Sequence, residues 1–289
     1  MTTGAFCADV SREGGEPLSA TASRVDHWIL VEYRGLWAHD AIDGSALSAA
    51  VKEHLRARRH ARPNTKLLFI RRTERRGRKE LAVYWGSTHE HGAQLSHAEI
   101  TGYDELLARD LATPGEPVEH PLFLVCTHGK HDRCCARHGR PLYHALREQA
   151  EPDWVWQCSH VGGDRFAGNV VVLPDGLYYG RVEPADVWAL VDEQLAGRVL
   201  LDRYRGRSCY TLVQQAAERA VREHTNVLGV EELTLLAGDD ARVRFRVRDR
   251  IYDVEVEQTR GELTYLTCSS ERLRPPRQYV ARSLHESAA

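Results

Sequence analysis

Cysteine and histidine, residue types suited to binding zinc or iron, are concentrated in two short stretches near the middle of the chain. The first reads CTHGKHDRCC, from Cys126 to Cys135, and the second reads WQCSHVGGDRFAG, from Trp156 to Gly168. Together they hold four of the seven cysteines, and glycines follow His160 closely. Thiolate and imidazole are the ligands of zinc sites and of iron–sulfur clusters. The two stretches therefore predict a metal centre.

The predicted strands bring these donors to one place. Cys126 ends an apolar strand, and Cys135 follows a polar loop that can turn back toward that strand end. Cys158 and His160 lie at the end of another strand, so two strand ends present their donors to a single spot. The alternative is that free cysteines are small buried apolar residues, but ligation explains the grouping better. The buried-thiol interpretation is favoured for three cysteines without ligand-type neighbours in the sequence: Cys7, Cys209 and Cys268.

The remaining histidines give weaker signals. His128 and His131 flank the cysteines, where we expect them to be solvated or to donate hydrogen bonds to metal-bound sulfur. His97 is expected in a polar loop of the first region.

The overall composition excludes several classes of protein. A net charge of −2 over 289 residues gives no general attraction to nucleic acid or to anionic membranes. No apolar run is long enough to span a bilayer, and the amino terminus lacks the features of a signal peptide. An odd number of cysteines favours a reducing, cytoplasmic setting over a disulfide framework. A single methionine and a richness in arginine, alanine and valine suggest a bacterial source.

The order of the predicted elements divides the chain into three regions. Both of the first two regions follow the β-α-β-β-α order of a thioredoxin-like layer, and stretches rich in proline, glycine or arginine near 113–117 and 203–208 separate the regions. We therefore predict an α/β protein with tandem thioredoxin-like domains, residues 1–115 and 116–202. A small α+β region, residues 203–289, follows them, and its role is not predicted.

Proline and glycine define two elements of the second region. Pro141 is expected at the first position of a helix that ends at Gln149, because proline is tolerated there. Pro174 and Gly176 predict a tight hairpin turn. In the first region, the residues from Thr73 to Arg78 are predicted as a hairpin loop between two strands, and a helix is expected near Tyr103 to Leu111.

The third region contains two strands whose charges alternate with apolar residues. Arg242, Arg244 and Arg246 lie on one face of the first strand, and acidic residues that include Asp253 and Glu255 occupy the same kind of position on the second. A hairpin would place the two rows opposite each other, where opposite charges stabilise the pair. This interpretation is favoured over a basic strip that binds phosphate backbones.

Three motifs together resemble the sucrase/ferredoxin-like family, which contains thioredoxin-like 2Fe–2S proteins. They are CTHGKHDRCC, SHVGGDRFAGN and PDGLYYGRV. The resemblance covers most of the chain and indicates a bacterial member of this family. It implies a thioredoxin-like ferredoxin domain with one 2Fe–2S cluster.

The family pattern C-x8-C followed by H-x3-H assigns ligands to this chain. Cys126 and Cys135 match the two thiolates, and His160 matches the first imidazole. The second imidazole falls on Asp164, where this sequence departs from the pattern. Cys158 competes with Asp164 for the fourth position, because sulfur is a softer donor than a carboxylate, and it is slightly preferred for that reason.

The leading functional hypothesis is an electron carrier with a redox protein as its partner and no substrate chemistry of its own. A thiol–disulfide oxidoreductase on the same frame is the first alternative, although the sequence contains no C-x-x-C. A structural zinc-binding module is the second alternative, although the usual C-x2-4-C spacing is absent.

Overall fold

Two halves of similar topology make up most of the computed structural model, which describes residues 5–73 and 78–289. The first half contains α1 (Cys7–Glu13), β1 (His27–Glu32), α2 (Ala49–His60), β2 (Thr65–Arg71), β3 (Leu81–Ser87), β4 (Gln94–Ile100) and β5 (Glu116–Pro117). The second half contains β6 (Leu122–Cys126), α3 (Arg133–Gln149), β7 (Val155–Cys158), β8 (Val170–Leu173), β9 (Leu177–Tyr179) and α4 (Val187–Leu195).

The strand order is the same in both halves. β1 and β2 are parallel, β3 runs antiparallel to β1, and β4 runs antiparallel to β3. In the second half, β6, β7, β8 and β9 repeat this arrangement. A parallel pair requires a crossover connection, and α2 and α3 supply it. This is the arrangement of a thioredoxin-like core, so the predicted α/β fold with tandem thioredoxin-like halves is confirmed.

The two halves are joined into one sheet of ten strands. β2 of the first half pairs with β7 of the second in antiparallel register, with Ile70 opposite Cys158 and Arg71 opposite Gln157. An edge strand, β10 (Tyr204–Arg207), completes the sheet beside β9. Its residues therefore belong to the large sheet, although the sequence predicted residues 203–289 as a separate region.

Three predictions for the first half are wrong. The stretch around His97 forms strand β4 rather than a loop, because Leu95 and Ile100 are buried in a sequence that is otherwise polar. β2 and β3 do not form a hairpin, since β1 lies between them, and residues 74–77 of the predicted hairpin loop lie outside the described residues. The helix expected near Tyr103 is a short 3-10 helix, Tyr103–Ala108.

Helix α3 begins eight residues before the predicted start at Pro141. The side chain of Asp132 accepts a hydrogen bond of 2.8 Å from the backbone N–H of Cys134, and this N-cap starts the helix at Arg133. Pro141 lies inside the helix, where it has no N–H to donate to the carbonyl of Arg137. Part of the predicted polar loop is therefore helical, and Cys134 and Cys135 both lie in the first turn of α3. By contrast, the hairpin at Pro174 forms as predicted, between β8 and β9.

The third region packs one helix on a four-stranded antiparallel sheet. Its elements are α5 (Leu212–Thr225), β11 (Leu233–Gly238), β12 (Arg242–Val247), β13 (Arg250–Arg260) and β14 (Arg277–Ala288). Arg242 lies opposite Glu255 and Arg244 lies opposite Asp253, with hydrogen bonds of 2.9 Å and 2.8 Å. The predicted pairing of the two charged rows is confirmed at these two positions.

Candidate metal centre

Strands β6 and β7 position two of the predicted ligands. Both strands are completely buried, as expected for apolar segments in the interior of a sheet. Their last residues, Cys126 and Cys158, are partners in the parallel register. Because side chains alternate along a strand, Cys126 lies on the same face as Leu124, and Cys158 lies on the same face as Trp156.

Helix α3 brings Cys135 onto the end of β6. Gly139 allows this approach, since a Cβ at this position would overlap the carbonyl oxygen of Cys126. Cys126 and Cys135 are each only 1% exposed. The strand end and the first turn of the helix therefore enclose two thiols in a site that excludes water.

The loop after β7 supplies a histidine and a carboxylate. Gly162 and Gly163 have φ angles of +103° and +80°, which are favourable only for glycine, and they turn the chain back on itself. The Nδ1 atom of His160 then lies 2.9 Å from Oδ1 of Asp164. The same oxygen accepts a hydrogen bond of 3.2 Å from Sγ of Cys135.

Three of the predicted ligands converge. The donor atoms of Cys126, Cys135 and His160 all lie within 4.8 Å of one another. Nδ1 of His160 is buried and has no aligned hydrogen bond, despite its short distance to Asp164. Two buried thiols and an imidazole within reach of one ion are the donor types that hold iron–sulfur and zinc centres. The residues present therefore fit such a group.

The charges at this site stabilise one another. A hydrogen bond from the Cys135 thiol holds the pKa of Cys126 well below its usual range, although burial opposes this, and the pKa of Cys135 is raised in return. Burial also opposes a charged His160, but its contacts with Asp164 and Cys126 raise its pKa to about 9. Asp164 is buried as well, and His160 nonetheless lowers the pKa of its carboxyl. A metal ion would replace the protons of this network, because ligands bind in their deprotonated form.

Cys158 lies outside this convergence. Among the described residues, the group of donor atoms within 4.8 Å comprises Cys126, Cys135 and His160 and leaves Cys158 out. Burial raises the pKa of Cys158 well above its usual range. The nearby Lys66, whose pKa burial lowers to about 8, is a residue that the sequence did not indicate.

Further histidines lie beside the metal centre. The rings of His131 and His160 stack with centroids 3.7 Å apart, and His39, from the first half, stacks on His131 at 4.9 Å. Nδ1 of His128 accepts a hydrogen bond of 3.3 Å from the backbone of His160, and its Nε2 lies 2.6 Å from the carbonyl oxygen of Ala38. His39 comes from a distant part of the chain, so no local pattern could have indicated it.

A cleft opens beside these rings. It has a volume of about 470 Å³ and is lined by residues of both halves, among them His39, His131 and His160. Lys66 and Arg59 also line it. The cleft gives the partly exposed His160 a route to the surface, whereas the two thiols stay covered.

Cys7 and Cys268, which have no ligand-type neighbours in the sequence, do have them in the folded chain. In the folded chain both of them meet Cys134, with Sγ–Sγ distances of 3.7 Å and 3.4 Å. Cys209 is a buried thiol in the apolar core of the third region, as expected, and Cys7 is also fully buried. The contacts join residues more than a hundred positions apart, which no spacing rule detects.

Comparison with known proteins identifies the family. A family model described as sucrase/ferredoxin-like matches residues 18–206. The chain belongs to this family. The matched segment contains the candidate metal centre and the strands β1 to β9 of both thioredoxin-like halves, and it ends before α5. No helix among the described residues is long and apolar enough to cross a lipid bilayer.

Several curated relatives are yeast proteins named Altered inheritance of mitochondria protein 32. The protein from Meyerozyma guilliermondii is 36% identical over 101 residues, which are 32% of this chain and 36% of the relative. The protein from Debaryomyces hansenii is 34% identical over 95 residues, which are 29% of this chain and 35% of the relative. The match thus spans about a third of the length of these relatives. Their source gives no support to the expected bacterial origin.

Among solved structures, similarity is found to the thioredoxin-like [2Fe-2S] ferredoxin from Aquifex aeolicus. One structure is 25% identical and covers 31% of this chain and 94% of that chain, with a TM-score of 0.28. The wild-type structure of the same protein is 26% identical and covers 30% of this chain, with a TM-score of 0.27. The thioredoxin-like fold of the two halves is assigned from their strand order.

Proposed function

We propose that this protein is an electron carrier with one 2Fe–2S cluster in its second thioredoxin-like half. Cys126, Cys135 and His160 would hold the cluster. The observation that carries this proposal is the convergence of their donor atoms at the ends of two buried elements. The family resemblance assigns ligands to these three positions independently of that geometry.

Asp164 is the better candidate for the fourth position. Its Oδ1 contacts both Cys135 and His160, at 3.2 Å and 2.9 Å. Cys158 has the softer donor atom, but its sulfur lies outside the group of donors. Proximity favours Asp164, whereas donor chemistry favours Cys158. Proximity is the stronger argument, because the surrounding backbone is buried and packed and holds the side chains where they are.

A 2Fe–2S cluster, when bound, takes up and releases one electron. The residues around it would set the conditions for that exchange. His160 in place of a thiolate lowers the negative charge of the ligand set, which favours a higher reduction potential than four thiolates would give. The cleft beside His160 would let a redox partner, either a reductase or an acceptor enzyme, come close to the cluster. The cytoplasmic setting and the bacterial source expected from the sequence belong to the same proposal.

A thiol–disulfide oxidoreductase is a second candidate, and one observation favours it. Cys126 and Cys135 form a pair in which one thiol has a lowered pKa and the other a raised pKa, as attacking and resolving thiols require. Both are 1% exposed, however. Without access for a substrate disulfide, the pair is better suited to holding a metal than to exchange.

Anaerobic purification of the full chain tests the proposal. We expect a red-brown protein with about two iron and two acid-labile sulfide per chain, the content of one 2Fe–2S cluster. Chemical reduction should give the electron paramagnetic resonance signal of a one-electron-reduced cluster. A colourless protein without sulfide after iron and sulfide reconstitution would contradict the proposal, and reversible oxidation of Cys126 and Cys135 to a disulfide would then favour the oxidoreductase.

A further inference from the structure

We propose that Cys7, Cys134 and Cys268 form a second metal site, a mononuclear zinc site distinct from the iron–sulfur centre. The three thiols come from helix α1, from the first turn of α3 and from the segment between β13 and β14. They will be called the three-thiol site.

The spacing of the three sulfurs fits one tetrahedral ion. The Sγ–Sγ distances are 3.7 Å between Cys7 and Cys134, 3.4 Å between Cys134 and Cys268, and 3.6 Å between Cys268 and Cys7. Two sulfurs on one tetrahedral zinc, each about 2.3 Å from the metal, lie about 3.8 Å apart. A disulfide requires about 2.05 Å, and it would leave the third thiol unpaired. The near-equilateral triangle is therefore the geometry of a shared ion.

Asp132 holds the site together. Its Oδ1 accepts a hydrogen bond of 2.8 Å from the backbone N–H of Cys134, and its Oδ2 accepts one of 2.6 Å from the backbone N–H of Cys268. The same carboxylate lies 3.8 Å from Sγ of Cys7, and one of its oxygens falls within 4.8 Å of all three sulfurs. Asp132 thus fixes the backbone of two of the three cysteines and is placed to supply the fourth ligand.

The surroundings support bound thiolates at this site. The backbone N–H of Ala8 points at Sγ of Cys134 at 3.5 Å, a contact that stabilises negative charge on sulfur. Cys7 and Cys134 are completely buried. Three soft donors and one carboxylate, which together fill four positions, favour a structural zinc site over a catalytic one.

The helix separates the three-thiol site from the iron–sulfur centre. Cys134 and Cys135 are consecutive, and consecutive side chains on a helix do not face each other. Cys135 therefore turns toward Cys126, whereas Cys134 turns toward α1. The two sites share no ligand, so metal content at each can be measured independently.

Elemental analysis of the full chain, produced with both zinc and iron in the medium, tests the inference. We expect about one zinc per chain in addition to the iron. Cys7→Ser and Cys268→Ser should each lower zinc affinity about tenfold or more, since loss of a ligand costs at least as much as loss of a supporting contact. Both variants should keep the red-brown colour. Cys209→Ser, a buried thiol away from both sites, is the matched control and should keep both metals.

Cobalt provides a measurement that does not depend on a variant that folds. Wild-type protein freed of metal and titrated with Co²⁺ should develop the thiolate-to-cobalt absorption band of a tetrahedral site, and zinc should abolish that band. The band should persist in Cys126→Ser, which removes a thiol of the other centre, so that it can be assigned to the three-thiol site. The inference is overturned if wild-type protein takes up neither ion with this signature. Wild-type zinc affinity in both serine variants would overturn it as well, and so would a Cys134–Cys268 disulfide in freshly purified wild-type protein. Since iron is measured separately, failure of the iron–sulfur proposal leaves this test intact.

Discussion

The two halves of the large sheet have the same strand order but place different side chains at the same points. β1 ends at Glu32 and β6 ends at Cys126. Their parallel partners at these positions are Ile70 in β2 and Cys158 in β7. At these paired positions one half has a carboxylate and an aliphatic side chain, and the other half has two thiols.

The crossover helices differ in the same way. The third residue of α2 is Val51, and the third residue of α3 is Cys135. Val51 packs into the apolar core. Glu32 accepts hydrogen bonds from Arg34 and from the backbone N–H of Ala82, at 2.9 Å and 3.0 Å. The topology therefore provides the same positions in both halves, but only the second half has thiols there, in agreement with the rule that function lies in the site rather than in the fold.

The largest effect is expected from removing the thiols that distinguish the halves. Cys126→Ser or Cys135→Ser should reduce bound iron and sulfide to less than about a tenth of the wild-type content, since a lost ligand leaves an iron without a donor. Metal analysis and the visible spectrum measure this. Cys209→Ser serves as the control, and equal loss of iron in this control would show that the centre lies elsewhere.

An intermediate effect should distinguish the two candidates for the fourth position. Asp164→Ala removes the carboxylate that contacts Cys135 and His160, and we expect it to shift the spectrum and to lower the iron content severalfold. Cys158→Ala should leave both nearly unchanged. If instead Cys158→Ala loses iron and Asp164→Ala does not, Cys158 is the fourth ligand, as donor softness predicts.

The smallest effect is expected from a change in the close packing of α3 against the end of β6, at Gly139. Alanine at position 139 favours a helix over glycine by about 1 kcal/mol, yet its Cβ would overlap the carbonyl oxygen of Cys126. Gly139→Ala should therefore lower the free energy of unfolding by about 1–3 kcal/mol, the usual cost of overpacking, and weaken iron retention. Denaturant unfolding of the metal-free and the metal-loaded protein measures both.

Gly102→Ala is the matched control for this prediction. Its Cβ would meet open space, so the free energy of unfolding should change by no more than about 0.5 kcal/mol. A stabilised Gly139→Ala variant would show that α3 does not press against the end of β6.

The sequence predicted the parts of the molecule that have local signals. β6 and β8 are continuous apolar runs, and the ligand pattern around Cys126 and His160 has fixed spacing. β4 was missed because its buried leucine and isoleucine are separated by polar residues. The start of α3 was missed because Pro141 suggested a later start, whereas the cap at Asp132 decided it.

The three-thiol site could not have been predicted for a different reason. Its members lie at positions 7, 134 and 268, so their meeting depends on how the third region and the amino-terminal helix fold back onto α3. Only the adjacent pair Cys134 and Cys135 carried a signal, since neighbours on a helix must face different surroundings. Long-range contacts of this kind leave no periodic pattern.

The pairing of β2 with β7 has a consequence for any attempt to isolate the second half, which holds the candidate metal centre. Cutting the chain before β6 would strip β7 of its neighbour and expose the hydrogen-bonding groups on that side, together with those of Ser159, which now pairs with Phe69. Unpaired edges of this kind attract other strands and promote aggregation. The first half, although it has no metal ligands at the matching positions, therefore acts as a permanent shield for a strand edge that a free-standing ferredoxin domain would have to protect by other means.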